Sequence, residues 1–180
     1  MDLRVEKVNG KNKRKVKEIY HSAFPKEERM RFWLMLVLAK FWHTKFFSFH
    51  DDDVLCGFIY MGINRRLGFI MFFAVDENIR SKGYGSRILQ KVQSMYPDRK
   101  IIVSIERCDV SAKDIGERIR RKEFYLKNGY VDTGYLVRLA NVEQEILISN
   151  GTFSKREFAW FFIKYSNGTM YPKIWKNTSK

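Results

Sequence analysis

The spacing of apolar and polar positions changes repeatedly along the chain, and each change marks an element. Leu3-Arg4-Val5-Glu6-Lys7-Val8 alternates, which predicts a first strand ending at Asn9-Gly10. Val16, Ile19, Tyr20 and Ala23 then fall on one helical stripe with lysines opposite, until Pro25 forces Phe24 out of helical geometry. From Met30 to about Trp42 the chain has helical length but is apolar nearly all round. That predicts a mostly buried helix, part of which could line an acceptor pocket or a dimer contact. Phe46 to Phe49 and Val54 to Met61 read as a hairpin around Asp51-Asp52-Asp53.

Leu67 to Val75 is apolar without alternation, as in a strand covered on both faces. A cationic turn follows, Arg80-Ser81-Lys82-Gly83-Tyr84-Gly85-Ser86, and runs into a helix with Ile88, Leu89, Val92 and Met95 on one face. This helix ends before Pro97, and Lys100 to Ile105 is a short β-branched strand expected to pair parallel to the central one. Ser111-Ala112-Lys113-Asp114 resembles a capping box for a further helix, with Ile115, Ile119 and Leu126 as its buried side and Asn128-Gly129 as its end. Tyr130 to Leu139 and Glu143 to Ile148 predict two strands. Ser154-Lys155-Arg156-Glu157 caps a last helix with Phe158, Phe161 and Phe162 inward, and the basic tail from Asn167 is expected to be loosely held.

The turn after Val75 carries the most specific chemistry. Glycines allow close backbone approach, and the first turn of a helix has amide hydrogens without internal partners. With the helix dipole, Arg80 and Lys82, these amides form a receptor for a phosphate or diphosphate. On the turn alone, an ordinary strand-to-helix connection bearing two surface cations fits equally well. A P-loop is absent, and Ile88 stands where a dinucleotide fingerprint needs its third glycine.

Composition narrows the setting. At 180 residues the chain is long enough for one domain with a real core, and 45% hydrophobic residues exclude a largely disordered polymer. Cys56 and Cys108 lack metal-site spacing, and His21, His43 and His50 do not complete one, so no metal is expected and the thiols read as reduced in a cytoplasmic protein. The longest apolar run, Phe32 to Ala39, is too short to span a bilayer. A net charge of +14 attracts polyanions without choosing among nucleic acid, an anionic surface and a phosphorylated cofactor.

Two motifs in order resemble the GNAT superfamily of acetyl-CoA-dependent N-acyltransferases. Its Arg/Gln-x-x-Gly-x-Gly/Ala signature is matched by Arg80, Gly83 and Gly85. Its Phe/Leu-Tyr-x-x-x-Gly-Phe/Tyr segment is matched by Phe124-Tyr125-Leu126-Lys127-Asn128-Gly129-Tyr130. The resemblance covers nearly the whole chain. It implies one acyltransferase domain over residues 1–180, with a basic tail at about 167–180. The implied fold is α/β (α+β), a mixed, mostly antiparallel central sheet with one parallel pair at the cofactor site and flanking helices. It further implies that Phe73, Ala74 and Val75 pair with the pantetheine arm, and that Arg80, Ser81, Lys82, Gly83, Tyr84, Gly85 and Ser86 hold the diphosphate. Arg118 and Arg121 replace the asparagine and alanine that many members carry seven and four residues before the tyrosine. Arg118 could then reach a cofactor phosphate or be solvated, and the solvated side chain is the expectation.

Transfer of an acetyl group from a thioester to an amine needs a proton for the departing thiolate, and Tyr125 is the candidate general acid. Glu28 is the candidate base or acceptor contact, with Glu27 and Glu106 as neighbouring options, and a surface carboxylate in an ion pair is the plainer reading of each. No histidine is placed to activate Cys108, so transfer is expected to be direct. The acceptor is expected to be a primary amine on a small molecule or peptide. Two competing readings are a nucleic-acid-binding module, for the basic charge, and a regulator of the same fold that binds acyl-CoA without catalysis. Dimerisation is common in the family the chain resembles, and the apolar helix from Met30 is a candidate interface for it.

Overall fold

A computed structural model describes residues 2–41, 43–139 and 142–178. Eight strands follow the order β1-β2-β3-β4-β5-β7-β6-β8 in one mostly antiparallel sheet, in which β4 and β5 are the parallel pair among the described residues. The contacts divide into two compact units. The first holds the chain up to Ile63 together with Ile70–Pro97, and the second holds Asn64–Phe69 and the chain from Asp98 onward.

In the first unit, β1 (Arg4–Lys7) pairs with β2 (Thr44–Asp51), which forms a hairpin with β3 (Val54–Ile63). Asp52, at the tip, has a left-handed backbone (φ 51°), which aspartate tolerates better than most residues. Helix α1 (Lys13–Ala23) buries Val16, Ile19 and Tyr20, the expected stripe, and stops where Pro25 follows. Tyr20 packs edge-on against Phe58 and Phe72, and its hydroxyl donates to the Met30 carbonyl.

The second helix departs from expectation. α2 spans only Phe32–Leu38 and buries Met35 alone, while Trp33, Val37 and Phe41 are exposed; the expected end at Trp42 lies outside the described residues. Two turns of helix offer one face to a core, so an apolar circumference does not translate into burial on every side. Strand β4 (Leu67–Val75) leads through the Arg80–Gly83 turn to α3 (Tyr84–Met95), which buries Ile88, Leu89 and Val92.

In the second unit, β5 (Lys100–Glu106) pairs with β7 (Val142–Ser149), and β7 with β6 (Val131–Leu139). Helix α5 (Lys155–Tyr165) starts as expected, with Ser154 accepting from the Glu157 amide, and buries Phe158, Phe161 and Phe162. Helix α4 (Ile115–Lys127) differs from the predicted pattern. Ser111 caps nothing there, because its hydroxyl donates to Asp109. Ile119 and Leu126 are exposed, and Tyr125 is the buried residue of the helix. The tail is also more ordered than expected. β8 (Lys173–Lys176) pairs antiparallel with β6 and buries Ile174.

Candidate active site

The turn between β4 and α3 is open to solvent, with Arg80, Ser81, Lys82 and Gly83 all exposed. Two left-handed residues shape it, Ser81 (φ 66°) and Gly83 (φ 80°). Gly83 is the residue from which α3 starts, and a Cβ there would touch nothing within 4 Å, so backbone torsion and not space selects glycine. Upstream, Asp76 closes a short 3-10 turn by accepting from the Asn78 amide. From Ser81 to Ser86 no main-chain N–H donates to an acceptor among the described residues; the Arg87 amide is the first to bond, to the Gly83 carbonyl at 3.1 Å. Arg80 and Lys82 make no ion pair among the described residues. A row of unfilled donors beside two unpaired cations suits an anion.

The first turn of α3 is anchored by a carboxylate that sequence reasoning read as part of a hairpin turn. Asp51, the last residue of β2, accepts from the Tyr84 hydroxyl at 3.0 Å and from both terminal guanidinium nitrogens of Arg87, at 2.8 and 3.1 Å. Arg87 also stands over the Tyr84 ring, 5.1 Å from its centroid. The Arg87 hydrogen bonds and then that of Tyr84 hold the Asp51 carboxyl below its usual range, and accepting that hydroxyl proton raises the Tyr84 phenol. Arg87 is therefore a brace and Arg80 and Lys82 are the turn's outward charges. Nothing in the run Asp51-Asp52-Asp53 distinguishes the bracing aspartate from its neighbours.

At the end of β4, Phe73 and Val75 are half-buried and Ala74 is buried. Gly57 on β3 explains how closely the neighbouring strand approaches. A Cβ there would lie 2.4 Å from the Ala74 carbonyl oxygen and 3.1 Å from the Val75 Cα. The Asp76 amide donates to the Cys56 carbonyl at 2.9 Å, closing the same junction.

Tyr125 sits in the last turn of α4, 8% exposed, with its ring 5.4 Å from that of Tyr130. Burial pushes its phenol up to about 12, the nearby Arg121 charge only partly opposing this. The rest of the Phe124–Tyr130 motif fixes its backbone. Gly129 is left-handed (φ 80°), its amide reaches the Leu126 carbonyl, and the Tyr130 amide reaches the Tyr125 carbonyl. This is a Schellman end, in which the glycine of the motif sets where Tyr125 sits. Asn128 adds a side-chain bond to the Phe124 carbonyl at 2.7 Å.

The carboxylate candidates separate. Glu106 is ion-paired with Arg121. Glu27 and Glu28 lie exposed on a 3-10 turn between α1 and α2. Arg118 corrects the expectation of a solvated side chain. Its Nε bonds the Asp114 carboxylate and its Nη1 the Arg107 carbonyl, each at 2.9 Å, tying the start of α4 to the segment after β5. Burial, then the Glu145 carboxylate, raises the Cys108 thiol, which is the wrong direction for a nucleophile. Among the described residues no cluster could hold a metal ion, and no helix is long and apolar enough to cross a membrane.

The acetyltransferase (GNAT) family model matches residues 13–130, and the chain belongs to that family of acyltransferase enzymes. Comparison with curated protein sequences gave no match. Among solved structures, the fold is similar to a protein assigned to the GNAT family from Bacteroides thetaiotaomicron, with a TM-score of 0.77 at 17% identity over 93% of this chain and 99% of that one. It is similar also to a variant of the spermidine N-acetyltransferase SpeG from Vibrio cholerae, with a TM-score of 0.61 at 15% identity over 82% and 92% of the two chains. Naa50 from Arabidopsis thaliana, in complex with a bisubstrate analogue of coenzyme A and a peptide, gives 0.59 at 18% identity over 84% and 100%.

Proposed function

We propose that this enzyme transfers an acetyl group from acetyl-CoA directly to a primary amine of a small molecule or peptide. The observation that carries the reading is the exposed Arg80–Gly83 turn, with its row of unpaired amides from Ser81 to Ser86 and two unpaired cations. These groups fit a diphosphate: the amides supply directed donors, Arg80 and Lys82 supply charge, and the Asp51–Arg87–Tyr84 brace holds the helix start still. Phe73, Ala74 and Val75 are the residues that we assign to the pantetheine arm, a role that rests on the family resemblance alone.

In the reaction the amine nitrogen bonds to the thioester carbonyl carbon, the carbon–sulfur bond breaks, and the sulfur leaves with the electron pair. Tyr125 supplies its proton. With the phenol at about 12 and a thiol resembling cysteine near 8.5, complete transfer from the resting site is uphill by about 5 kcal/mol. The hydroxyl therefore acts first as a hydrogen-bond donor to the charge growing on sulfur, and the proton crosses late. The same high value keeps Tyr125 fully protonated at neutral pH. A lysine-like acceptor must lose a proton at a cost of about 4–5 kcal/mol at pH 7. Glu28, exposed beside the first helix pair, is the proposed base or acceptor contact, since Glu106 is already neutralised by Arg121.

The test is Tyr125→Phe assayed by thiol release with spermidine, peptides bearing free N-termini and small primary amines. Turnover should fall at least about tenfold while coenzyme A affinity stays within about twofold. Equal turnover removes Tyr125 from the mechanism. A trapped acetyl-enzyme would replace direct transfer with a two-step route.

A further inference from the structure

The ends of β6 and β7, the residue after β5 and the edge strand β8 line an open cleft of about 350 Å³ whose walls include Arg107, Leu136, Arg138, Glu143, Lys173 and Trp175. Strand register puts these side chains together. Arg138 lies opposite Glu143 on one side and Lys173 on the other, and Leu136 lies opposite Trp175. Directly opposed residues share a sheet face, so the cations and the indole stand on the same side.

The charges do not cancel. Glu143 accepts from Arg138 at 2.7 Å and from Arg107 at 3.1 Å, so one carboxylate serves two guanidiniums. Lys173 is exposed and has no carboxylate within ion-pair distance among the described residues, which leaves the cleft with two positive charges in excess. The Lys173 ammonium and the Arg138 guanidinium lie 6.0 and 5.8 Å from the centre of the half-buried Trp175 ring. Arg138 uses one terminal nitrogen on Glu143, and the remaining edge of a guanidinium suits a second oxyanion. Glu143 thus orients the cations and lowers, without erasing, their charge.

We propose that this cleft is a binding site for a small organic phosphate. The phosphoryl dianion sits between Arg138 and Lys173 with Arg107 behind them, and the body of the ligand rests on Trp175. Two excess charges match a phosphomonoester dianion, whereas a carboxylate would neutralise one. The volume suits a phosphate with a single ring attached, in the range of ordinary small-molecule sites. The site stands on residues that take no part in the acetyl-transfer reading, so either can fail alone.

The probe is phenyl phosphate, titrated into the full chain and followed by the Trp175 indole N–H resonance, assigned with Trp175→Phe. A saturable shift is expected, at least tenfold weaker with benzoate and absent with benzyl alcohol. Lowering pH from 8 to 5 should weaken binding severalfold, as the second phosphate proton returns near pH 6. Lys173→Glu should weaken binding at least tenfold with an unchanged melting temperature, and Lys173→Gln should lie between. Saturating coenzyme A should leave the phenyl phosphate shift in place. The proposal is overturned by the absence of a shift, by equal affinity in both Lys173 variants, or by displacement of the probe by coenzyme A, which would assign the cleft to the cosubstrate.

Discussion

Gly57→Ala offers a test that separates steric from torsional roles of glycine around the proposed coenzyme strand. The added methyl would lie 2.4 Å from the Ala74 carbonyl oxygen, 3.1 Å from the Val75 Cα and 3.1 Å from the Ile88 Cδ1. Ile88 could rotate away, but the other two atoms belong to the main chain of β4, so the strands themselves must separate by about 1 Å to restore ordinary contact. Overpacking of this kind costs about 1–3 kcal/mol, and the backbone contact places Gly57→Ala toward the upper end. For a chain of this size each kcal/mol lowers the midpoint by about 2–4 °C, giving an expected loss of about 5–10 °C in a calorimetric melt. Because the displaced atoms are Ala74 and Val75, coenzyme A affinity measured on the folded variant should fall as well. Gly83→Ala is the matched control. Its methyl meets nothing within 4 Å, and the cost is the left-handed torsion alone, about 1–2 kcal/mol. A Gly57→Ala protein that melts within 1 °C of the parent and binds coenzyme A equally would refute the close approach of β3 to the end of β4.

Three further outcomes follow from other parts of the structure. Asp51→Ala removes the acceptor for both Tyr84 and Arg87, so coenzyme A affinity should drop severalfold while the far-ultraviolet circular dichroism is retained; unchanged affinity would show that the brace is irrelevant to the turn. Tyr20 and Tyr125 are both pushed up to about 12 by burial. Below pH 10 each is protonated whether the chain is folded or not, whereas between 10 and 12 only the unfolded chain ionises. Stability should therefore fall as pH rises through that window, with about 2–3 kcal/mol from Tyr125. Denaturant midpoints at pH 9 and 11 check this, and Tyr125→Phe should flatten part of the slope. Ile174→Ala, in the buried face of β8, should cost about 2–3 kcal/mol in a thermal melt, and a neutral result would mean that β8 is not packed as described.

Much of this arrangement was legible in the residues, for physical reasons that differ by element. The unbroken apolar run from Leu67 to Val75 and the serine cap at Ser154 carry their own boundaries, and both appear where the pattern puts them. Phe158, Phe161 and Phe162 share a helical face and are buried together. Helix α2 is shorter than its apolar run predicts, because hydrophobicity reports what could be buried, not how many faces the fold can cover. In α4 the isoleucine stripe was a decoy, and the core side passes instead through Tyr125, a residue whose polar tip hides its apolar body. Strand β8 is four residues long, flanked by Pro172, and carries lysines at both ends, so nothing local distinguishes it from a solvated tail. The Asp51 brace links residues more than thirty positions apart, and such a pairing is visible only in three dimensions.

The most direct test of the central claim is a calorimetric titration of coenzyme A into the purified chain at physiological salt, repeated on a Gly83→Val, Gly85→Val double variant. Saturable binding by the parent, weakened at least about tenfold in the folded double variant, is the expected result. No detectable binding at millimolar coenzyme A, or equal affinity in the two proteins, would contradict the assignment of the Arg80–Ser86 turn as the seat of the diphosphate.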